Sequence, residues 1–161
     1  GGGADGRARP ALAQPAAEHV IRQAQPADLT AVQRIVEAAY APYVSVMGRR
    51  PAPMDEDHAA QIAAGQVWIA PPDGVVVLVE TEDSLLIDNV AVHPSTQGRG
   101  IGRSLLAFAE TEARRRRLPR LRLYTNAAMT RNVALYARCG WHETHRATQS
   151  GFDRVFMEKA A

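Results

Sequence analysis

A glycine-rich segment between a predicted strand and a predicted helix places the strongest constraint on how this chain folds. Residues 84–92, SLLIDNVAV, are apolar enough for a central strand, and residues 102–116 repeat apolar side chains at helical spacing. Between them, residues 97–102 read QGRGIG. Glycine lets the backbone approach a ligand closely, and a helix start offers unpaired N–H groups and the positive end of the helix dipole. The segment therefore predicts a binding loop for a phosphate or pyrophosphate.

Two common phosphate loops do not match this segment. A P-loop has four residues between its glycines followed by lysine, whereas Gly98 and Gly102 enclose three residues and Arg103 follows. A dinucleotide-binding loop ends G-x-G-x-x-G with glycine, where this chain has Arg103. The segment also comes late in the chain, after several predicted strands. We therefore expect neither of these nucleotide-binding folds.

The rest of the chain predicts a mixed α/β sheet covered by helices. Residues 1–18 are rich in Gly, Ala and Pro and are expected to form a flexible leader, and residues 19–161 to form one domain. Hydrophobic periodicity and Pro/Gly turns give the order β-α-α-β-β-β-α-β-α-β-β. The predicted strands are residues 19–24, 67–70, 75–80, 84–92, 121–125, 141–148 and 152–159, and the predicted helices are 29–40, 55–64, 102–116 and 131–139.

Two motifs in this frame resemble the GNAT superfamily of acyl-CoA-dependent N-acetyltransferases. Gln97, Gly100 and Gly102 match its Q/R-x-x-G-x-G/A pattern. Residues 88–106 look like the family's central strand, loop and helix, and residues 132–141, NVALYARCGW, resemble a later segment of it. The resemblance implies a GNAT-like, mixed, mostly antiparallel sheet of about six or seven strands with about four helices, and a splay between the central strand and the next.

The resemblance also implies acetyl-CoA as the cofactor. The CoA pyrophosphate is expected on the backbone amides of the loop, with charge added by Arg99 and Arg103, and the pantetheine arm along the central strand. A backbone N–H near Val90 is expected to stabilise the oxyanion formed from the thioester. The expected cofactor-binding residues are Val90, Ala91, Val92, Gln97, Gly98, Arg99, Gly100, Ile101, Gly102, Arg103, Ser104, Asn132 and Tyr136.

Tyr136 is the predicted general acid of direct acetyl transfer from acetyl-CoA to a primary amine in a ternary complex. A phenol within hydrogen-bond reach protonates the departing CoA thiolate. Asn132 lies one helical turn earlier, so both side chains share a face and meet the cofactor. The alternative is that Tyr136 is a core aromatic on an amphipathic helix.

Asp88 is the predicted general base. The amine arrives protonated, because an alkylammonium has a pKa of roughly 10, and it must lose a proton before it attacks. Alternation along the strand places Asp88 on the same side as Val90 and Val92. The alternatives are a structural role for Asp88, or a different base among Glu80, Glu82, His93 and water.

The acceptor amine is expected to bind against the first helices. Residues 19–93 hold four Arg and ten Asp or Glu, which suits a cationic amine, whereas residues 94–122 hold eight Arg and two Glu, which suits an anionic ligand. The alternative is that these surface charges cluster by chance. The sequence does not distinguish an amino acid, a polyamine, an aminoglycoside or a peptide amine. The expected acceptor-site residues are Tyr40, Tyr43, Met54 and Asn126, with Asp55 and Asp57 beside them.

Composition argues against several other classes of protein. One cysteine leaves no disulfide framework, and no apolar run approaches the roughly 20 residues that span a bilayer, so we expect a cytoplasmic protein with no membrane partner. We expect no metal site, because His142 and His145 should face opposite sides of their strand.

The arginine run at residues 114–117 raises the question of nucleic acid. A net charge of +2 is too small to indicate nucleic-acid binding, and the run is accounted for by the negative end of the helix. Two rival functions stay open, a non-catalytic acyl-CoA-binding module and an adaptor that uses the arginines. The oligomeric state is also open, with a homodimer as one arrangement.

Overall fold

Seven strands and five α-helices make up the part of the chain that the structure, a computed structural model, describes, which is residues 19–161. The predicted leader lies outside these residues, and the single domain predicted for the rest stays a prediction. The strands are β1 (Arg22–Gln23), β2 (Val67–Ala70), β3 (Gly74–Glu80), β4 (Ser84–Val92), β5 (Arg120–Asn126), β6 (His142–Gln149) and β7 (Phe152–Ala160). The helices are α1 (Leu29–Tyr40), α2 (Tyr43–Met47), α3 (His58–Ala63), α4 (Ile101–Arg115) and α5 (Thr130–Arg138).

The strands form one open sheet in the order β1-β2-β3-β4-β5-β7-β6. β4 and β5 are parallel, and the other neighbouring pairs are antiparallel. The predicted mixed, mostly antiparallel fold class is therefore confirmed, with one more helix than expected. No helix within residues 19–161 combines the length and the apolar character that crossing a membrane requires.

The additional helix and a shifted helix start both lie between residues 41 and 58. α2 follows Pro42 directly, where the proline predicted only a break. The second predicted helix begins at His58 rather than at residue 55, because the Asp57 side chain caps it by accepting the Ala60 N–H at 3.0 Å. The preceding residues form a 3₁₀ turn, Ala52–Asp55. Asp55 and Glu56 thus lie outside the helix and are free to serve other contacts.

Each face of the sheet has its own buried core. On the face covered by α1 and α3, called the α1 face, Val36 packs in one cluster with Val77 of β3. On the face covered by α4, called the α4 face, Leu105 packs in a second cluster with Leu121, and Tyr136 of α5 packs against it. Burying an aliphatic side chain of this size stabilises a fold by about 1.5–3 kcal/mol. The two cores place the helices on opposite sides of β4 and β5.

β4 and β5 pair only along their first halves. The parallel register runs from Ser84 opposite Arg120 to Ile87 opposite Leu123. Beyond that point, β4 stays paired with β3, and β5 with β7, so the two strands diverge. We call the gap between residues 88–92 and residues 124–126 the splay. It confirms the predicted opening beside the central strand.

A bulge in β6 corrects one prediction about its histidines. His142 lies opposite Glu158 and His145 opposite Phe156, with the register shifting between Glu143 and His145. Because their partners are two residues apart in β7, the histidines lie on the same side, so the predicted opposite orientation is wrong. The ring of His145 stacks on Phe156 at 4.3 Å. No group of three or more His, Cys, Asp and Glu side chains within residues 19–161 could hold a metal ion.

Replacing Gly74 by alanine should destabilise the junction between β3 and α4. A Cβ at this position would lie 2.5 Å from Ile101 Cγ2 and 3.3 Å from Leu105 Cδ1. Overpacking of this kind costs about 1–3 kcal/mol, which a urea unfolding curve would measure. Gly102→Ala is the matched control, because its Cβ would meet only Val92 Cγ2 at 3.8 Å. Equal stability of Gly74→Ala and wild type would contradict this packing at the junction.

Candidate active site

The splay opens into a cleft that passes between the two faces of the sheet. Its volume is about 590 Å³, including the part that is open to solvent. Tyr40 lines it from α1, Asp88 from β4, Tyr124 from β5, Tyr136 from α5 and Arg154 from β7. Both predicted catalytic residues therefore line one cleft, although α1 and α5 pack on opposite faces of the sheet.

A β-bulge in β4 determines where the Asp88 carboxylate points. Val77 of β3 lies opposite Asn89 and Leu78 opposite Ile87, so Asp88 is the extra residue without a partner. The Tyr124 hydroxyl donates a hydrogen bond to Asp88 Oδ1 at 3.1 Å. The bulge interrupts the predicted alternation of side chains along β4. As a result, Val90 and Val92 pack into the α4-face core, whereas Asp88 contacts Tyr124 and Glu56.

Glu56 was not predicted as a site residue, yet its carboxyl group contacts that of Asp88. Gln61 Nε2 donates a hydrogen bond to Glu56 Oε2. Burial, followed by the contact with Asp88, raises the pKa of Glu56 to about 7. The sequence signal at this point, three consecutive acidic residues, indicated a helix start. Only Asp57 serves as that cap, and Glu56 turns towards β4 instead.

Tyr136 lies on α5 in a largely apolar environment. Its ring packs edge-to-face against Trp141, with centroids 6.1 Å apart. Burial raises the pKa of Tyr136 to about 12, so the phenol is protonated at neutral pH. Asn132 lines the same cleft one turn earlier and donates from Nδ2 to Met129 Sδ at 3.5 Å.

Tyr40 is held by its hydroxyl against the central strand. It donates to Asn89 Oδ1 at 2.7 Å, and Asn89 is only 3% exposed. Burial, followed by the nearby Tyr136 and Asp88, raises the pKa of Tyr40 well above its usual range. Asn89 Nδ2 finds no hydrogen-bond partner among residues 19–161.

The predicted acceptor residues do not all lie at the cleft. Tyr40 and Asn126 line it, and Asn126 Oδ1 also accepts the Ala128 N–H at 2.9 Å. Tyr43 is on α2 and is not among the lining residues. Met54 is buried and lines a second groove on the α1 face instead.

The sequence analysis missed one aromatic and one basic residue of the cleft, Tyr124 and Arg154. The guanidinium of Arg154 lies over the ring of Tyr124, 4.3 Å from its centroid. Burial and the Asp88 charge raise the pKa of Tyr124 to about 12, so this phenol also stays protonated. No sequence motif marks either residue, because their proximity depends on the pairing of β5 with β7, in which Asn126 lies opposite Arg154.

The glycine loop leads directly into α4. Gly98 and Gly100 both have a φ of +82°, a conformation that L side chains rarely adopt. Gln97 anchors the loop by donating from Nε2 to the Val92 carbonyl at 3.2 Å. A Cβ on Gly98 would meet nothing within 4 Å, so the space above the backbone is open. Of the other predicted loop residues, Arg99 and Arg103 are exposed, Gly102 and Ser104 partly buried and Ile101 buried.

Beside the cleft, the loop provides unpaired N–H groups and β4 provides an edge with no neighbouring strand. The N–H of Ser104 donates to Gly100 O at 3.0 Å and begins the helical bonding pattern, which leaves earlier N–H groups of the turn available. Val90, Ala91 and Val92 pair with β3 on one side and face the splay on the other. An extended ligand arm thus has a strand edge to follow, and an anionic group has a helix start.

Solved structures described as acetyltransferases share this fold. The Thermoplasma acidophilum PaiA N-acetyltransferase, solved in complex with coenzyme A, superposes with a TM-score of 0.71 at 17% identity, covering 88% of this chain and 98% of that one. The ribosomal-protein-alanine N-acetyltransferase of Brucella melitensis gives a TM-score of 0.67 at 24% identity, covering 88% and 99%. The Salmonella typhimurium protein yncA, solved with its cofactor acetyl-CoA, gives 0.65 at 21% identity, covering 88% and 92%.

The sequence itself identifies the family. A sequence model of the acetyltransferase (GNAT) family matches residues 29–141, which is well over half of the chain. This protein therefore belongs to the GNAT family of acetyltransferases. No curated protein matches the chain.

Proposed function

We propose that this protein transfers an acetyl group from acetyl-CoA to a primary amine of a small molecule or peptide, directly and within a ternary complex. The observation that carries the proposal is the cleft through the splay, which has the protonated phenol of Tyr136 on one side and the carboxyl group of Asp88 on the other. Acetyl-CoA, when bound, supplies an acetyl group activated as a thioester.

The residues of the loop and β4 fit coenzyme A as a ligand. Open space above Gly98, the start of α4 and the exposed Arg99 and Arg103 suit its diphosphate. The edge of β4 along Val90–Val92, which β5 leaves unpaired, suits the amide-containing arm, which pairs as an added strand would. Asn132 lies beside this route, one turn from Tyr136.

The acid and base act from opposite faces of the sheet. Asp88 takes a proton from the acceptor ammonium on the α1 face, where Tyr40 and Asn126 line the cleft. Tyr136 gives its phenolic proton to the departing sulfur on the α4 face. Tyr43 and Met54 do not line the cleft, so we assign neither of them a contact with the acceptor. The cytoplasmic location and a homodimer stay predictions from the sequence.

A thiol-release assay should detect acetyl transfer with at least one class of amine. The full chain with Cys139→Ser is the suitable protein, because Cys139 is its one cysteine and would react with the thiol reagent. We expect CoA release from acetyl-CoA only when an amine is added, and an acceptor that gains one acetyl group by mass spectrometry. The panel consists of amino acids, polyamines, aminoglycosides and short peptides.

The same assay separates direct transfer from its alternatives. Retained activity of Cys139→Ser, with no acetylated protein after acetyl-CoA alone, is the result expected for direct transfer. Acetyl-CoA binding without turnover on any amine would contradict the proposal and favour the non-catalytic acyl-CoA-binding module. Binding to nucleic acid that falls steeply with salt would favour the adaptor instead.

A further inference from the structure

Glu56 lies between the cleft and a second groove on the α1 face. Its carboxyl group contacts Asp88 on the cleft side. On the other side it lines the groove together with Gln33 and Arg34 of α1 and His58 of α3. Glu56 thus connects the space where an acceptor amine would bind with a separate opening to solvent.

Two carboxyl groups in contact do not both ionise freely. The repulsion between two adjacent carboxylates favours a state in which the pair holds one proton. Here Tyr124 donates to Asp88, and Gln61 donates to Glu56. These hydrogen bonds engage one oxygen of each carboxyl group, Oδ1 of Asp88 and Oε2 of Glu56.

We propose that Glu56 is a positioning residue for Asp88: the two carboxyl groups share one proton and pass the proton of the acceptor amine from the cleft to the second groove. The proposal rests on the proposed acetyl transfer and extends it to the removal of the ammonium proton. It also defines the acceptor class, because the step requires an amine that binds in its protonated, cationic form.

The proton balance of this step is complete within the pair and water. In the ready state, the pair has lost its shared proton to water in the groove and carries two negative charges. The acceptor ammonium then gives a proton to Asp88, so that an N–H bond breaks, an O–H bond forms and the electron pair stays on nitrogen. Glu56 takes over this proton and returns it to water in the groove.

The other charged and titratable groups around the pair come from four elements. Tyr40 of α1 and Tyr124 of β5 have raised pKa values, so their phenols stay protonated while the pair titrates. Arg154 of β7 favours the ionised form of Glu56. His58 of α3 faces Gln61, with His58 Nδ1 3.2 Å from Gln61 Oε1. Arg34 and Glu37 of α1 line the second groove.

The pH profile of the full-length enzyme tests this role directly. With an amine found active in the thiol-release assay, we expect kcat/KM of the wild type to rise with pH through about 7, as the pair loses its shared proton. Glu56→Gln keeps an oxygen that can accept from Gln61 but leaves Asp88 without a second carboxyl group beside it. Its rising limb should move to lower pH because the repulsion between two carboxylates is gone, and its plateau should fall roughly 10-fold because a lone carboxylate is a weaker base.

A histidine variant tests whether the limb near pH 7 belongs to the carboxyl pair or to the neighbouring imidazole. His58→Asn should keep the limb near pH 7, and loss of the limb in that variant would assign it to His58 and overturn the proposal. An unchanged limb in Glu56→Gln would also overturn it. The affinity for acetyl-CoA should stay at the wild-type value in both variants, since neither residue lies at the loop.

A titration of the free protein makes the result independent of activity. Carbon-13 NMR of labelled carboxyl groups should show Glu56 titrating near pH 7 in the wild type and at a lower pH in Asp88→Asn, where the repulsion is gone. Titration of Glu56 at the same pH in both proteins would overturn the pair. A complete lack of acetyl transfer would instead overturn the proposed function, and the NMR titration would still decide whether the pair exists.

Discussion

Tyr136→Phe should lower turnover by on the order of 10²- to 10⁴-fold, the usual contribution of a positioned acid or base, and leave the affinity for acetyl-CoA nearly unchanged. The substitution removes one oxygen and keeps the ring, so the edge-to-face contact with Trp141 persists. Steady-state kinetics give the turnover, and calorimetric titration with acetyl-CoA gives the affinity. A fall in kcat without a change in binding is the signature of an interaction made only in the transition state.

The environment of Tyr136 shows why a weak acid suffices there. Burial disfavours the phenolate and raises its pKa to about 12, which keeps the proton available at neutral pH. The same loss of solvation acts on a thiolate departing into the cleft, and raises its proton affinity as well. Because burial raises the proton affinity of both groups, the difference between them changes less than the shift of the Tyr136 pKa alone suggests.

Tyr43→Phe is the matched control for this prediction. Tyr43 is also a tyrosine and lies near Tyr136, but it is not among the residues that line the cleft. We expect its turnover to stay close to wild type. Equal turnover of Tyr136→Phe and wild type would rule out the acid role and leave Tyr136 as a core aromatic.

The sequence predicted the elements of the fold because their signals are local. Alternation and apolar runs define β3, β4 and β7, and helical spacing defines α1 and α4, where the structure agrees within one or two residues. The glycine loop was also local, since a strand, a run of glycines and a helix follow one another directly in the chain. The splay came from the family resemblance, because no pattern within β4 or β5 shows where their pairing ends.

The residues that the sequence missed depend on contacts between distant segments. The bulge at Asp88 shifts the side-chain alternation of β4, and nothing in the sequence of that strand marks it. The bulge in β6 reversed the expectation for His142 and His145 in the same way. Glu56 was assigned to a helix start, because three acidic residues in a row are typical of one, whereas its actual partner is 32 positions further along the chain.

Gly100→Asp should reduce the affinity for acetyl-CoA by on the order of 10³-fold. A carboxylate about 4 Å from a phosphate charge repels it by about 4 kcal/mol at the effective dielectric of a protein surface, and 1.4 kcal/mol is a factor of ten. Gly100 is the N-cap residue of α4, so an added carboxylate would lie close to the N–H groups that the helix start offers to the diphosphate. Calorimetric titration measures the loss, and a thermal melt monitors folding.

Gly100→Asn separates charge from backbone strain. Both variants place a side chain of nearly the same size at a φ of +82°, and Asn and Asp both tolerate the left-handed conformation better than most residues. The difference in affinity between them therefore reports the charge alone. It should shrink as salt is added, because the Debye length falls from about 10 Å at 0.1 M to about 3 Å at 1 M. Equal affinities of the two variants at every salt concentration would mean that the diphosphate binds elsewhere. A negative side chain at the centre of this loop would repel a negative ligand bound there.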